Sequence, residues 1–224
     1  MKLSSNTTMV LKNFATINQN LVIKEGSELL TMSSMKNIVA KATVEENFPK
    51  EIAIYDLNEF LASLSIFKSP VLEFEEQYLT IKEEDQPHKK LTYFYSDPSV
   101  VQSPTKTITM PSEEVKFHLD MNKLLEMKRA AGVIGSPDMV LQKSSGNSSL
   151  LVKDKKNDTA NNYSSDIKTD GDGEYKFFFK VENLKLFDGD YDVKISSKNI
   201  SHFKNDKSNI EYWIALEPES TYSN

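Results

Sequence analysis

The stretch EIAIYDLNEFLASLSIF at residues 51–67 passes from an alternating strand pattern through Asp-Leu-Asn into apolar residues at helical spacing. Similar phrases follow, with VKFHLDMNKLLEMKRAAGVIG at 115–135 and EYKFFFKVENLKLFDG at 174–189. The asparagines of the three phrases lie 64 and 61 residues apart, at Asn58, Asn122 and Asn183. A short polar side chain after a strand satisfies the free N–H groups of a helix start. The sequence therefore predicts a repeated strand-to-helix unit.

Composition limits the class of protein. The chain has 224 residues, which suffices for one large domain or for two domains of roughly 100 residues. We expect it to stay in the cytoplasm, because no apolar run approaches a membrane span of ~18 residues and the N-terminus has no signal-like apolar region. The absence of cysteine excludes disulfides, thiolate metal sites and a cysteine nucleophile. A net charge of −6 argues against a basic coat for nucleic acid but permits one basic surface.

Most of the remaining chain reads as strands, because short runs rich in Val, Ile, Tyr, Phe and Thr recur between turn residues. Three prolines fall within residues 97–111, which suits an extended connector. We therefore predict an α+β fold with two similar domains, residues 1–98 and 112–224, joined by an interdomain connector at 99–111. Each half is predicted to contain, in order, a helix, four strands, a second helix and three strands. The one difference is an additional strand after the connector, VKFHLD, which precedes the first helix of the second half.

Four helices are predicted, the last of them short and beginning near Asn183. In the first helix Lys12 lies opposite the apolar face, and in the third helix Arg129, the only arginine, does so. A solvated helix face would also account for these charges. The predicted apolar stripes contain Val10, Leu11, Phe14 and Ile17, then Phe60, Leu61, Leu64 and Phe67, then Leu124, Met127, Ala131 and Ile134.

Three phrases carry a resemblance to a known family. MKLSSNTTMVLKNFATIN at 1–18, AIYDLNEFLASLS at 53–65 and EYWIALEPEST at 211–221 resemble the DNA polymerase sliding clamps of T4-type bacteriophages. The order of elements is also similar, more distantly, to eukaryotic and archaeal clamps, although the polar region 144–170 is hard to match. The resemblance implies the DNA-clamp fold, with inner helices and outer antiparallel sheets assembled into a ring. Clamp rings contain six such domains, so two domains per chain imply a homotrimer.

The resemblance also implies a function. A clamp encircles duplex DNA and tethers the replicative DNA polymerase for processive synthesis in the host bacterial cell. It is not an enzyme, and no cofactor or metal is expected. Few phosphate contacts would give a weak, sequence-independent attraction that lets a ring slide. The residues expected to face DNA are Lys12 and Arg129, followed by Lys2, Lys123, Lys128 and Lys185.

Clamps of this family hold partners through a short hydrophobic peptide that enters a pocket beneath the connector and beside the last strand. The alternative is that these apolar residues are domain core. The implied partners are the polymerase, an ATP-dependent clamp loader and factors of late transcription. The pocket residues implied by the resemblance are Met32, Val100, Val101, Ile214, Leu216 and Pro218.

Two other classes of protein stay open from the residues alone. One is a strand-rich viral interaction or structural module that does not encircle DNA. The other is a hydrolase that uses the carboxylates of FDGDYDV, although a hairpin turn explains Asp188, Asp190 and Asp192 as well. The sequence shows no pairing of a histidine with carboxylates at metal-ligand spacing, and TDGDGEY at 169–175 lacks the pattern of a calcium loop. The histidines are His88, His118 and His202.

Overall fold

A computed structural model describes residues 1–104 and 108–223, and in it the chain divides into two units, Met1–Thr107 and Ile108–Asn224. The predicted connector, 99–111, includes residues 105–107, which lie outside the described residues. A 3-10 turn at Pro98–Val100 overlaps the start of the predicted connector. Within the described ranges, no helix has the length and apolar character needed to cross a membrane.

The first unit contains two helices and two groups of antiparallel strands. Strands β4, β1, β2 and β3 are hydrogen-bonded neighbours in that order, and β5, β6 and β7 form a three-stranded sheet. Helix α1 packs against α2, β2 and β3. The elements are α1 (Ser5–Ile17), β1 (Leu21–Ile23), β2 (Gly26–Met32), β3 (Ile38–Phe48), β4 (Ile52–Ile54), α2 (Leu57–Ser65), β5 (Pro70–Phe74), β6 (Tyr78–Glu83) and β7 (Gln86–Phe94).

The second unit contains one helix and again two groups of antiparallel strands. Their orders are β11-β10-β9-β12-β16 and β15-β14-β13-β8, and α3 packs against β9, β10 and β11. The short strand β16 was not predicted. The elements are β8 (Val115–Leu119), α3 (Met121–Ile134), β9 (Asp138–Ser144), β10 (Asn147–Lys153), β11 (Tyr163–Asp166), β12 (Glu174–Lys180), β13 (Tyr191–Ser196), β14 (Ile200–Asn205), β15 (Ile210–Ala215) and β16 (Thr221–Ser223).

The predicted apolar stripes largely coincide with the buried faces of the three helices. All four stripe residues of α1 are buried, whereas Leu61 in α2 and Ile134 at the end of α3 are only half-buried. Phe67, predicted as the last stripe residue of the second helix, lies beyond the end of α2 at Ser65 and is also half-buried. A polar residue caps each of the three helices. Ser4 Oγ accepts a hydrogen bond from the Thr7 amide at 3.1 Å at the start of α1, and Asp56 and Asp120 cap α2 and α3 as predicted. Asp56 Oδ1 accepts hydrogen bonds from the Asn58 and Glu59 amides at 2.9 and 3.1 Å, and Asp120 Oδ1 accepts from the Lys123 amide at 2.8 Å.

The prediction of a fourth helix is wrong, because Val181–Asn183 forms only a 3-10 turn and the described residues contain three α-helices. Val181 stands where the other two phrases have Asp56 and Asp120, so the capping carboxylate is missing. Leu184 and Leu186 are both buried. Burial of every second residue is the period of an extended chain rather than of a helix.

Candidate nucleic-acid and peptide interfaces

Helix α1 presents Lys12 on the face opposite its buried stripe. Lys12 is exposed, as are Ser5 and Thr16 on the same face. It also borders a small cavity of about 170 Å³, whose wall includes Leu61 and Leu72. The lysine stem therefore lies along apolar surface while its ammonium can reach solvent, which is the usual arrangement of a lysine side chain on a helix.

Helix α3 presents Arg129 in a groove that it shares with β11. The groove has a volume of about 520 Å³, and Leu125, Val133 and Tyr163 contribute apolar surface to it. The Tyr163 hydroxyl donates to Glu126 Oε1 at 2.6 Å, and this hydrogen bond raises the pKa of Tyr163 and lowers that of Glu126. The positive charge of Arg129 opposes the rise in the pKa of Tyr163.

Three other candidate cations already have partners within the protein or are partly buried. Lys2 forms an ion pair with Glu84 at 2.5 Å, and Lys123 contacts Glu126 at 3.3 Å. Burial lowers the pKa of the half-buried Lys128, although nearby Asp188 opposes that shift. In the parts of the chain that the structure describes, Lys12 and Arg129 form no ion pair with a carboxylate.

Lys185 lies in the segment that follows the 3-10 turn. It falls within the predicted fourth helix, which the structure lacks. Its side chain is half-exposed between the buried Leu184 and Leu186. If Lys185 approaches DNA, it does so from an extended segment.

Two carboxylates, Glu46 and Asp190, hold helix starts, and the sequence did not predict this role for either of them. Glu46 of β3 is buried and accepts hydrogen bonds from the Ser4 amide and the Thr7 hydroxyl at the start of α1. Asp190 Oδ1 accepts from the amide of Met121, the first residue of α3, at 2.9 Å. A signal for Glu46 was present in the sequence, since it stands between Val44 and Phe48 in the inward-facing set of a strand with period two.

The surroundings of Glu46 favour the ionised form of its side chain. Burial raises the pKa of the Glu46 carboxyl, but the hydrogen bonds from Thr7 and Ser4 outweigh burial and lower it overall. A negative charge at a helix N-terminus also interacts favourably with the helix dipole. Glu46 and Asp190 thus fix the starts of the two helices that present Lys12 and Arg129.

The three aspartates of the hydrolase alternative have separate surroundings. Asp190 binds the start of α3, Asp192 contacts His118 Nδ1 at 2.9 Å, and Asp188 is exposed near Lys128. His202 Nε2 similarly lies 2.8 Å from Glu211. The sequence did not predict these histidine contacts, because they depend on strand register. Among residues 1–104 and 108–223, no group of three or more His, Asp or Glu side chains could hold a metal ion.

Three of the candidate peptide-binding residues belong to the first unit. Met32 ends β2 and is half-buried, and its carbonyl accepts a hydrogen bond from Asn18 Nδ2 at 2.7 Å. Val101 is buried against Val22 and Ala53. Val100, at the end of the 3-10 turn, is exposed. Of these three, Val100 alone presents most of its side chain at the surface of the unit.

The other three candidates belong to the second unit. Ile214 in β15 is fully buried, and its carbonyl accepts from Ser201 Oγ at 2.7 Å. Leu216 is also buried, and its amide donates to the Asn199 carbonyl at 2.9 Å. Pro218 is exposed. Ile214 therefore has the surroundings of a core residue, whereas Pro218 is open to solvent.

Comparisons with known proteins cover nearly the whole chain. Residues 2–101 match the family model for DNA polymerase processivity factor, and residues 116–218 match the one for the gp45 sliding clamp, C terminal. The sliding clamp of Vibrio phage KVP40 is 33% identical, over 97% of this chain and 99% of the relative. The sliding clamp of Enterobacteria phage T4 is 29% identical, over 99% of each chain.

Solved structures agree on the fold. Proliferating cellular nuclear antigen from Entamoeba histolytica superimposes with a TM-score of 0.68 at 12% identity, over 96% of this chain and 97% of that one. A chain of the PCNA2–PCNA3 complex from Sulfolobus tokodaii gives a TM-score of 0.64 at 12% identity, over 96% of each chain. The predicted clamp fold is thereby confirmed. From the two family models and the identity to the phage proteins, the chain belongs to the sliding-clamp family of phage DNA polymerase processivity factors.

Proposed function

We propose that three copies of this chain form a closed ring that encircles duplex DNA and tethers the replicative polymerase. The ring is supported by one observation: among the described residues, each unit has a strand at the edge of a sheet with no neighbouring strand on one side. β7 in the first unit and β11 in the second each end the strand order of their sheet, as far as the described residues extend. Such edges are templates for pairing with another chain. Two different edges on one chain give a head-to-tail contact, which closes into a ring by rotation.

Exposed apolar side chains accompany both edges. Phe94, the last residue of β7, is 68% exposed, and Val133, in the groove beside β11, is 79% exposed. In that groove Val133 forms an exposed apolar patch with Leu125 and Tyr163, and such patches mark interaction surfaces. The opposite margins of the same two sheets are less suitable, because β5 already bonds the N-terminal residue through Leu72 and β16 has only three residues. The ring contact then places β7 of one copy against β11 and α3 of the next.

The cations of α1 and α3 supply a DNA-facing surface on an acidic protein. Lys12 and Arg129 are exposed on the faces opposite the buried stripes. The net charge of −6 would repel DNA from the remaining surface and favour passage through the ring. Because phosphate contacts carry no base information, such a ring slides without sequence preference. Lys2, Lys123, Lys128 and Lys185 are the second group of candidates for contact with DNA.

The domain organisation follows the same scheme. Residues 1–98 and 112–224 are the two clamp domains and 99–111 the connector, a division supported by the two units and by the gap between the matched family models. The proposed peptide site, beside the connector and the last long strand, comprises the six residues named above. Val100 and Pro218 are exposed and open to the peptide, whereas the buried Ile214 supports the site from the core. The chain is an accessory protein without catalysis of its own. An ATP-dependent loader opens the ring, late-transcription factors use the same clamp, and all of this takes place in the host cytoplasm.

Sedimentation equilibrium up to tens of micromolar tests the ring. The expected result is a concentration-dependent approach to three times 25.5 kDa. A monomer at every concentration would overturn the proposal, because a single open subunit cannot encircle DNA.

The DNA-facing assignment is tested with the double variant Lys12→Ala, Arg129→Ala. Loading onto nicked circular DNA should weaken. The slope of the logarithm of the binding constant against the logarithm of the salt concentration should become shallower, by the equivalent of about two phosphate contacts. Lys24→Ala with Lys198→Ala is the matched control, because both lysines are exposed and neither is on a helix. Equal behaviour of the two double variants would show that the helices do not form the DNA-facing wall.

A further inference from the structure

The chain bends tightly between Leu216 and Ser220, and one lysine binds the bend on both sides. Lys155 Nζ lies 2.6 Å from Glu217 Oε2 and 3.0 Å from Glu219 Oε2. Between these two carboxylates, Pro218 is exposed. The Lys155 side chain itself is only 10% exposed, so this ammonium is largely shielded from solvent by the segment that it binds.

Lys155 is in turn anchored to the sheet. Its backbone amide donates to Asp138 Oδ2 at 3.1 Å, and the other oxygen of Asp138 lies 2.6 Å from Lys180 Nζ. Asp138 is fully buried at the start of β9. A buried carboxylate whose two oxygens both form hydrogen bonds is held rigidly. Asp138 therefore fixes the position of Lys155.

The backbone of the bend is fixed at three further points. The Glu217 amide donates to the Phe178 carbonyl at 2.9 Å, and the Phe178 amide donates to Ser220 Oγ at 3.0 Å. The Leu216 amide donates to the Asn199 carbonyl at 2.9 Å. Pro218 has no N–H and cannot donate such a bond. Its position therefore depends on its neighbours and on what holds their side chains.

The contacts at the bend shift the pKa values of Lys155 and Glu219. Burial lowers the pKa of the Lys155 ammonium, but its hydrogen bonds to Glu217 and Glu219 outweigh burial and raise it. The hydrogen bond from Lys155 is the main cause of the lowered pKa of Glu219. The raised pKa of Lys155 and the lowered pKa of Glu219 both favour the charged forms that bind each other across the bend.

We infer that Lys155 is a positioning residue for the partner-peptide site: by binding Glu217 and Glu219 it holds Leu216 and Pro218 in the arrangement that receives the polymerase peptide. The inference rests on the proposed function, which places Leu216 and Pro218 in that site. Fixing these residues in advance removes an ordering cost from binding. Lys155 itself need not touch the peptide.

Fluorescence anisotropy tests this with a labelled synthetic peptide that carries the C-terminal residues of the phage DNA polymerase. Lys155→Met should weaken peptide binding roughly three- to tenfold, whereas Lys155→Arg should restore most of the affinity. The trimer mass and the midpoint of thermal unfolding should stay close to those of the wild type. Lys156→Met is the matched control, because it removes the same charge from the exposed neighbouring residue.

A second variant protects the test from a folding defect. Glu219→Gln removes one of the two carboxylates that bind Lys155. Because the Glu219 side chain is mostly exposed, the variant should keep its fold, and it should weaken peptide binding by a smaller factor than Lys155→Met. Wild-type affinity in both Lys155→Met and Glu219→Gln would overturn the inference alone. A wild-type trimer that does not bind the peptide would contradict the proposed peptide site itself, and the inference with it.

Discussion

The segments after β4 and after β12 begin alike in sequence and differ in structure. Asp-Leu-Asn at 56–58 starts the nine-residue helix α2, whereas Val-Glu-Asn at 181–183 forms one 3-10 turn. Asp56 accepts two backbone amides at the start of its helix. Val181 cannot accept any through its side chain, and its own amide donates to the Pro137 carbonyl at 2.9 Å.

The asparagines of the two segments show the same divergence. Asn58 is exposed on the surface of α2, whereas Asn183 is buried. Beyond the turn, Leu184 and Leu186 are both buried, and the chain then passes through Gly189 at a φ of +142°. A preceding strand therefore does not by itself specify a following helix. The residue at the cap position and the period of the apolar side chains decide between helix and extended chain.

The extended segment has a use that a helix there would not serve. Each unit needs a carboxylate at the start of its first helix, and the first unit takes Glu46 from β3. The second unit takes Asp190, which follows Gly189 directly, and places it on the Met121 amide. The same structural task is thus carried out by a strand in one unit and by irregular chain in the other.

The largest expected effect is that of Gly189→Ala, which challenges the extended segment directly. A Cβ at this position would lie 2.2 Å from Asn205 Nδ2, and the φ of +142° is unfavourable for any residue with a side chain. Asn205 is buried and accepts a hydrogen bond from the Ser208 amide, so it cannot move freely. We expect a loss of about 2–4 kcal/mol in the free energy of unfolding, measured by urea denaturation.

Gly132→Ala provides the opposite control. Gly132 lies within α3, and a Cβ there would meet nothing within 4 Å. Alanine is the better helix former, so this variant should gain about 0.5–1 kcal/mol. If both variants lost stability equally, the special conformation of Gly189 would not be the cause.

The next effect is that of Glu46→Gln, which tests the carboxylate of the first unit. Hydrogen bonds to a charged group contribute more than neutral ones, and we expect a loss of about 1–2 kcal/mol at neutral pH. Folding lowers the pKa of Glu46, so its contribution is fully present above its unfolded pKa and is lost as the pH falls through its folded pKa. The free energy of unfolding should therefore fall less steeply with acidification in the variant, measured from about pH 6 to about pH 3.

Glu45→Gln is the matched control for this measurement, since Glu45 is the exposed neighbour on the same strand. It should follow the wild-type pH curve. A wild-type curve for Glu46→Gln as well would mean that the bonds to Ser4 and Thr7 contribute nothing to stability.

Local patterns in the sequence predict much of this fold. Most stripe residues of α1, α2 and α3 and the caps Asp56 and Asp120 depend only on neighbouring residues, and they agree with the structure. The fourth helix was predicted from the repeated phrase, although Val181 breaks that phrase at the capping position. Strand β16 was missed because its pairing with β12 joins residues far apart in the chain.

The candidate sites were predictable to a smaller extent. Helical periodicity alone puts Lys12 and Arg129 on exposed faces, and the structure agrees on their exposure. The ion pairs of Lys2 with Glu84 and of Lys155 with Glu217 join residues more than sixty positions apart, and no local pattern encodes them. The same applies to Asp190 on the start of α3. Roles that depend on strand register or tertiary contacts can be recognised only in the three-dimensional structure.

Replacing the cap of α2 should have an intermediate effect. Asp56→Ala leaves the Asn58 and Glu59 amides without their acceptor, at a cost of about 1 kcal/mol in the free energy of unfolding. Asp85→Ala, at an exposed turn, removes the same charge without a helix start and should change stability little. Equal losses in the two variants would point to net charge rather than capping.

The smallest expected effect is that of Val181→Asp, which asks whether the missing cap alone prevents the fourth helix. The substitution gives all three phrases an aspartate at the cap position. We nevertheless expect no increase in helical ellipticity at about 222 nm and a change in unfolding free energy within about 0.5 kcal/mol. A helix would have to expose Leu184 or Leu186, both now buried, and would withdraw Asp190 from Met121. A clear gain of helix in the variant would show that one capping residue decides between the two structures and that apolar period is secondary.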